Sequence, residues 1–382
     1  MRVPLAWATF GSPCLVSHKA WATFGSPCLV THKAWSLAAI ATAASIGACA
    51  AAGPRDVGNQ NPRSEFPSAE VAAPEDAGTE AGRHRVRAKP TLLGRAARVI
   101  AHGPSHAIAL DADNVYFGDD ASDQLVALPK RPTEPPAEPR RLARHAPMDG
   151  TLSYDPHAAA LAWVGSPGDV VLRVSVKGGP PSTLRDGSIF ADVVATGGDV
   201  FITEASSGGA FLMRVTGATA SRLGTIKGTP RGIAVDAERV YIASSARLVS
   251  TPRTPGPMTE LSTAGGFASP RLDEASIYVT MATATAGSYS LVRIPKRGGA
   301  LETLATNVRE APIAIAKGRV FWFDANRPNL LALDVRGASS AAVTISSDPL
   351  FEHVRALAVD ESGAYAAVGS GDDAAVVAIP LE

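Results

Sequence analysis

The sequence predicts an all-β fold, a seven-bladed β-propeller whose last blade is closed by an N-terminal strand. Three observations carry that prediction. A compact apolar quartet recurs seven times, at residues 125–128, 171–174, 212–215, 248–251, 291–294, 330–333 and 376–379, with starts 36 to 46 residues apart. Such a period, built from short β-type segments, marks a radial array of small sheets. About ten residues before each quartet stands an apolar or aromatic pair, as in Val115-Tyr116, Val200-Phe201, Val240-Tyr241, Ile277-Tyr278 and Val320-Phe321. Finally, 35 Gly and 29 Pro in 382 residues supply the turns that many short strands require. Six blades is the alternative if residues 145–175 form no regular sheet, because the pair there is Ala162-Trp163.

Charge and cysteine usage narrow the function classes. Lys+Arg and Asp+Glu both total 36, so no global field draws the chain to nucleic acid. Cys14, Cys28 and Cys49 all precede residue 50. The remaining chain therefore has no disulfide, thiol nucleophile or cysteine metal site.

In chain order, residues 1–33 come first, and they contain a tandem copy. Residues 6–19 return as residues 20–33, with Ser17 replaced by Thr31 the sole change. A copy without turn logic reads as duplicated DNA, and the expected translation start lies near Val30. Residues 34–49 follow as a signal peptide: His32 and Lys33 form the basic flank, residues 34–48 are small and apolar, and the exit is made of small residues. The exit, Ile46-Gly47-Ala48-Cys49, resembles a bacterial lipobox. The resemblance implies that Cys49 is acylated and becomes the mature N-terminus, placing the protein in the cell envelope, at the outer membrane. The other reading is a soluble exported protein cleaved nearby, or an uncleaved anchor. Residues 50–90 are rich in Ala, Gly, Pro, Glu and Arg and too poor in large apolar residues to offset ordering entropy, so they read as a flexible tether. Residues 91–382 hold the repeats.

Within each repeat an apolar run comes first, ending in Asp111, Asp236, Asp273 or Asp360 in four copies. The pair follows, then the quartet, then a turn such as Pro129-Lys130 or Lys296-Arg297-Gly298-Gly299, and then a fourth short run. Four strands joined by tight turns make one antiparallel meander, too small to be stable alone. The recurring Asp residues read as turn formers that bond their own backbone, in preference to calcium ligands or catalytic acids.

The chain ends supply the closure. The seventh quartet stops at Ile379 and leaves its blade one strand short, while residues 96–100 form an orphan run before the first blade. Val99 precedes Tyr116 by 17 residues, as Leu304 precedes Phe321 and Leu261 precedes Tyr278. Residues 96–100 are thus expected beside residues 376–379, leaving no free edge.

Tyr116-Phe117-Gly118-Asp119 and Phe321-Trp322-Phe323-Asp324 are similar to the YWTD motif. With the Lys-Gly-Gly turns they give residues 95–382 a resemblance to the YWTD/NHL-like propeller superfamily, and to exported bacterial propellers within it. No repeated Gly-His…Trp-Asp signature is present, which disfavours WD40 repeats. The resemblance implies a fold and no particular activity.

Ligands of propellers meet the channel mouth, formed by loops that enter the innermost strands and loops that join second to third strands. Aligning Ile108, Ile233 and Leu357 puts His106, Arg231 and Arg355 at one equivalent position, two residues upstream. Three basic side chains around a mouth suit an anionic group, and they are the candidate ligand-binding residues. Solvation, or pairing with Asp149, Glu204, Glu310 or Glu352, is the structural alternative. The expected role is a non-catalytic, monomeric binding module for a protein, peptide or glycan, with no cofactor, no metal and no nucleic acid. The alternative is a hydrolase or lyase: a lactonase resembling the gluconolactonase group with Glu204, Asp149 and Asn307 around a metal, or a lyase with His106 or His353 as base. No Gly-x-Ser-x-Gly elbow, phosphate-binding loop or His-Glu-x-x-His pair occurs.

Overall fold

The computed structural model describes residues 96–131, 137–144, 146, 148–206, 209–310, 312–336 and 341–381. The duplicated leader, the signal with Cys49 and the tether at 50–90 lie outside the described residues. Seven four-stranded antiparallel sheets make up the fold. A first strand, β1 (Arg98–His102), precedes them. Blade 1 consists of β2 (Ile108–Leu110), β3 (Asn114–Asp119), β4 (Gln124–Pro129) and β5 (Arg140–Arg144). Blade 2 holds β6 (Met148–Asp155), β7 (Ala160–Gly165), β8 (Val170–Ser175) and β9 (Ser182–Asp186). Blade 3 holds β10 (Ile189–Thr196), β11 (Asp199–Ser206), β12 (Gly209–Thr216) and β13 (Thr219–Ile226). Blade 4 is β14 (Pro230–Val235), β15 (Arg239–Ser244), β16 (Leu248–Pro252) and β17 (Thr259–Ser262). Blade 5 is β18 (Phe267–Leu272), β19 (Ser276–Ala282), β20 (Tyr289–Pro295) and β21 (Glu302–Val308). Blade 6 follows with β22 (Ala314–Ala316), β23 (Arg319–Phe323), β24 (Asn329–Asp334) and β25 (Val343–Ser347). Blade 7 contains β26 (Val354–Val359), β27 (Ala364–Val368) and β28 (Ala375–Ile379), with β1 alongside β28 as its outer strand. Residues 148–175 thus supply three strands of a full blade, and the count among the described residues is seven.

The ring is continuous. Inner strands touch their neighbours in the order β2, β6, β10, β14, β18, β22, β26 and back to β2. Between the first and last blades, β1 pairs antiparallel with β28 in the register Arg98↔Ala378, Val99↔Val377, Ala101↔Val376 and His102↔Ala375. The strand begins two residues later than the orphan run read from the sequence.

Alternation along each second strand explains why a pair recurs. Successive strand residues face opposite sides, so in blade 1 Tyr116 packs toward blade 2 while Val115 and Phe117 pack toward blade 7. The same division at every boundary makes seven apolar clusters, one between each two neighbouring blades. Each fully buried Val, Leu, Ile or Phe contributes about 1.5–3 kcal/mol, so the ring is held by its blade interfaces.

The recurring Asp residues are structural. Asp236 Oδ1 accepts from the N–H groups of Glu238 and Arg239 at 3.0 and 2.8 Å, and Asp236 Oδ2 accepts from the Tyr241 hydroxyl at 3.1 Å. Asp273 repeats this with Ala275, Ser276 and Tyr278, and Asp111 with Asp113, Asn114 and Tyr116. Where the second-strand tyrosine becomes Phe201 or Phe321, the matching acid position carries Thr196 or Ala316. In blades 1, 4 and 5 hydroxyl and carboxylate occur together and each satisfies the other.

Candidate functional site

Inner strands start at the channel mouth, and in five of them, β6, β10, β14, β18 and β26, the ladder slips near that end. In β10 the register jumps from Phe190↔Glu204 to Asp192↔Thr203, in β14 from Pro230↔Ser244 to Gly232↔Ala243, and in β26 from Val354↔Val368 to Ala356↔Ala367. The bulged residues are Ala191, Arg231 and Arg355. A bulge leaves one residue unpaired and re-aims its side chain, which turns both arginines toward the channel. His106 holds the same position ahead of β2. The two arginines therefore share a backbone device, while His106 shares only their position along the inner strand.

His106, Arg231 and Arg355 all line one cavity of about 420 Å³ at the channel mouth, together with Thr151, Asp192, Ser269 and Arg271 from the inner strands. His106 Nδ1 lies 2.5 Å from Asp120 Oδ2, and its Nε2 meets Arg355 Nη1. With Arg355 donating, Nε2 accepts and Nδ1 carries the hydrogen toward Asp120. Burial pushes the Asp120 carboxyl up, and the opposing pulls of His106 and Arg355 leave it above its ordinary value. Arg231 is exposed and meets the hydroxyl of Tyr289, which also bonds Glu310. Burial and then Glu310 raise the Tyr289 hydroxyl.

Asp192 and Arg271, deeper in the channel, carry a signal that the sequence reading missed. Asp192 Oδ1 accepts from the Val193 N–H at 2.8 Å and Asp192 Oδ2 from the Ile233 N–H at 2.7 Å, with Thr151 as a further partner. Asp192 thus ties blades 2, 3 and 4 together beside the bulge at Arg231. Burial raises its carboxyl, against the pull of these bonds and of Arg271. Burial also lowers the Arg271 guanidinium, against the attraction of Asp192. Extending the alignment of Ile108, Ile233 and Leu357 to Val193 exposes Asp192 at a position held by Ala107, Gly232 and Ala356. A buried acid there is the anomaly that finds the channel.

Of the residues considered for a lactonase metal, Glu204 and Asn307 do not come together at the cavity. Glu204 is buried and committed: its carboxylate accepts from Arg185 Nε and Ser188 Oγ, both at 2.7 Å. The Arg185 bond, outweighing burial, holds it below the ordinary carboxylate range. Asn307 sits in β21 with φ 60, its carbonyl accepting from Ala325 N–H, and neither residue lines the cavity. The Asp149 side chain is outside the described residues. His353, exposed at the end of the short 3₁₀ helix Pro349–Glu352, is not in the lining either.

No protein-family model matches the chain, and no curated protein matches it. Solved structures match it in fold. YCF48 bound to D1 peptide aligns at TM-score 0.55 and 12% identity, over 77% of this chain and 100% of that one. The β-propeller domain of Cps50 (Swd1) from Myceliophteria thermophila aligns at TM-score 0.55 and 13% identity, over 74% and 99%. An oligogalacturonate lyase in complex with manganese aligns at TM-score 0.57 and 12% identity, over 74% and 91%. These likenesses show the propeller fold alone. The chain is a seven-bladed β-propeller with a basic channel mouth.

Proposed function

We propose that this protein is an exported propeller, tethered to a membrane through acylated Cys49, whose channel mouth binds an anionic protein, peptide or glycan partner. One observation carries the reading: the inner-strand bulges of blades 4 and 7, and the equivalent position of blade 1, aim Arg231, Arg355 and His106 into a single cavity. A bulge maintained at matching positions of different blades costs ladder bonds, and in blades 4 and 7 the residue it presents is an arginine. Asp120, Asp192 and Glu310 are held by His106, by backbone N–H groups and by Tyr289, so the donors left facing the cavity are the guanidinia of Arg231 and Arg355. The tether and lipid lift this face off the bilayer for a partner in the envelope, and one copy of the chain suffices.

The test is a binding screen of the full chain against peptide and glycan arrays, repeated with Arg231→Glu/Arg355→Glu. Binding lost in the double variant, with the melting temperature unchanged, supports the reading. Binding indifferent to both charges, or turnover across a lactone and ester panel, overturns it. For the anchor, metabolic labelling with palmitate is expected to mark the wild type and to miss Cys49→Ser.

A further inference from the structure

The basic residues at the mouth are not spread evenly. Arg355 and His106 stand on blades 7 and 1, in contact across the seam where the ring closes. Arg231 stands on blade 4, three blades from that seam in either direction, and therefore faces it across the channel. The deeper pair, Asp192 and Arg271, carries opposite charges that offset each other. What remains is two guanidinium groups, Arg355 and Arg231, on opposite sides of one cavity. The lining between them is made of inner-strand backbone and small residues such as Thr151, Ser153 and Ser269, while Ile108, Leu152, Ile233 and Leu357 are buried in the inter-blade clusters; among the described residues no Phe, Tyr or Trp lines it.

From this arrangement we infer that the channel takes a ligand presenting two carboxylates on an open-chain frame, one held by Arg231 and the other by Arg355 with His106 beside it. The inference rests on the mouth being a binding face and names the chemistry it selects. A guanidinium recognises a carboxylate through paired N–H donors, and two opposed guanidinia fix both the charge and the length of the guest. The rest of the lining offers no ring on which a sugar face stacks, so the frame that joins the two carboxylates is an open chain. The cavity, about 420 Å³, admits an organic diacid or the acidic end of a peptide. Both sources share the same chemistry.

Calorimetry on the full chain tests the inference with succinate, glutarate, adipate, pimelate and suberate, hexanoate as the single-acid control, a triglutamate peptide and digalacturonate. The expected result is an optimum in diacid length, with the best diacid about tenfold tighter than hexanoate, the worth of one added charge-assisted pair. Arg231→Gln and Arg355→Gln, checked for unchanged melting temperature, each bring that diacid to within about twofold of hexanoate. Arg231→Lys restores part of the gain. Triglutamate out-binding the free diacids, with the same dependence on both arginines, identifies a peptide ligand, and the reverse order identifies a free acid; both outcomes uphold recognition of two carboxylates. Equal affinity for diacid and hexanoate, dependence on one arginine alone, or tighter binding of digalacturonate overturns it. If the array partner still needs the arginines while diacids fail, the binding face stands and only its ligand chemistry falls.

Discussion

The ammonium of Lys130, on the turn after β4 in blade 1, donates to Asp360 Oδ2 in blade 7 and sits 5.9 Å above the ring of Tyr365. The lysine is buried and also donates to the Asp111 carbonyl, so it bridges the first and last blades. Lys296 of blade 5 repeats the arrangement on Asp236 and Tyr241 of blade 4, and Arg253 of blade 4 on Asp199 and Phe201 of blade 3. Lys130→Met keeps the stem and removes the charge, leaving Asp360 partly buried without its partner. A loss of about 2 kcal/mol is expected, read as a melting temperature lower by roughly 5 °C. An unchanged melting temperature refutes a role for this bridge in closure.

Closure also runs through β1. Deleting residues 96–102 uncovers the edge of β28 and takes Ile100 and Ala101 from the blade 1/7 cluster. The expected outcome is a large fall in thermal stability with self-association through the bare edge. Since a deletion often fails to fold, a gain-of-stability variant complements it. Val99 and Val377 lie directly opposite each other, so a Val99→Cys/Val377→Cys disulfide meets the spacing such a bond needs. Oxidation is expected to add about 2–4 kcal/mol, and a reductant to remove it.

Acid should loosen the ring. Burial alone raises the carboxyl of Asp236, but bonds from Lys296, Arg239 N–H and Glu238 N–H outweigh it and hold the group below its ordinary value. Asp273 and Asp360 show the same net direction, with Tyr278 and Lys130 as the leading bond donors. A carboxyl depressed in the folded state contributes stability that is complete above its unfolded value, near pH 4, and is lost as pH falls through the folded value. Scanning calorimetry should show a melting temperature nearly flat from about pH 7 to 5 and falling below about pH 4. Asp236→Asn should flatten part of that fall.

Much of this architecture was legible because a propeller repeats its physics. The apolar quartets are the buried third strands, and the pair before each is a second strand feeding two neighbouring clusters. Even the trio His106, Arg231 and Arg355 emerged from aligning Ile108, Ile233 and Leu357. Deviations from the repeat were harder to read. Asp192 and Arg271 occupy positions that hold apolar or small residues in other blades, and averaging over copies hides them. Pairing was hidden for another reason: Glu204 reads as a free acid until β9 and β11 bring Arg185 to it. Blade 2 looked irregular because its acid, Asp155, serves the Gly197 and Gly198 N–H groups of blade 3 instead of a tyrosine of its own.

The bulge that aims Arg231 depends on its successor, Gly232. This residue has φ +147, and a Cβ there would lie 2.6 Å from Pro270 Cδ and 3.2 Å from Ser269 N of blade 5. Its own N–H opens the segment that Asp192 anchors through Ile233 N–H at 2.7 Å. Gly232→Ala must therefore shift either the blade 4 bulge or the blade 5 strand facing it, and the backbone conformation adds strain of about 1–3 kcal/mol. The expected variant is folded but less stable, and its loss of anion affinity exceeds that of Gly150→Ala, a cavity-lining glycine where a Cβ meets nothing within 4 Å. Comparing the two by calorimetry separates displacement of Arg231 from a general loss of rigidity. If Gly150→Ala weakens binding as much as Gly232→Ala, the bulge is not what aims the arginine.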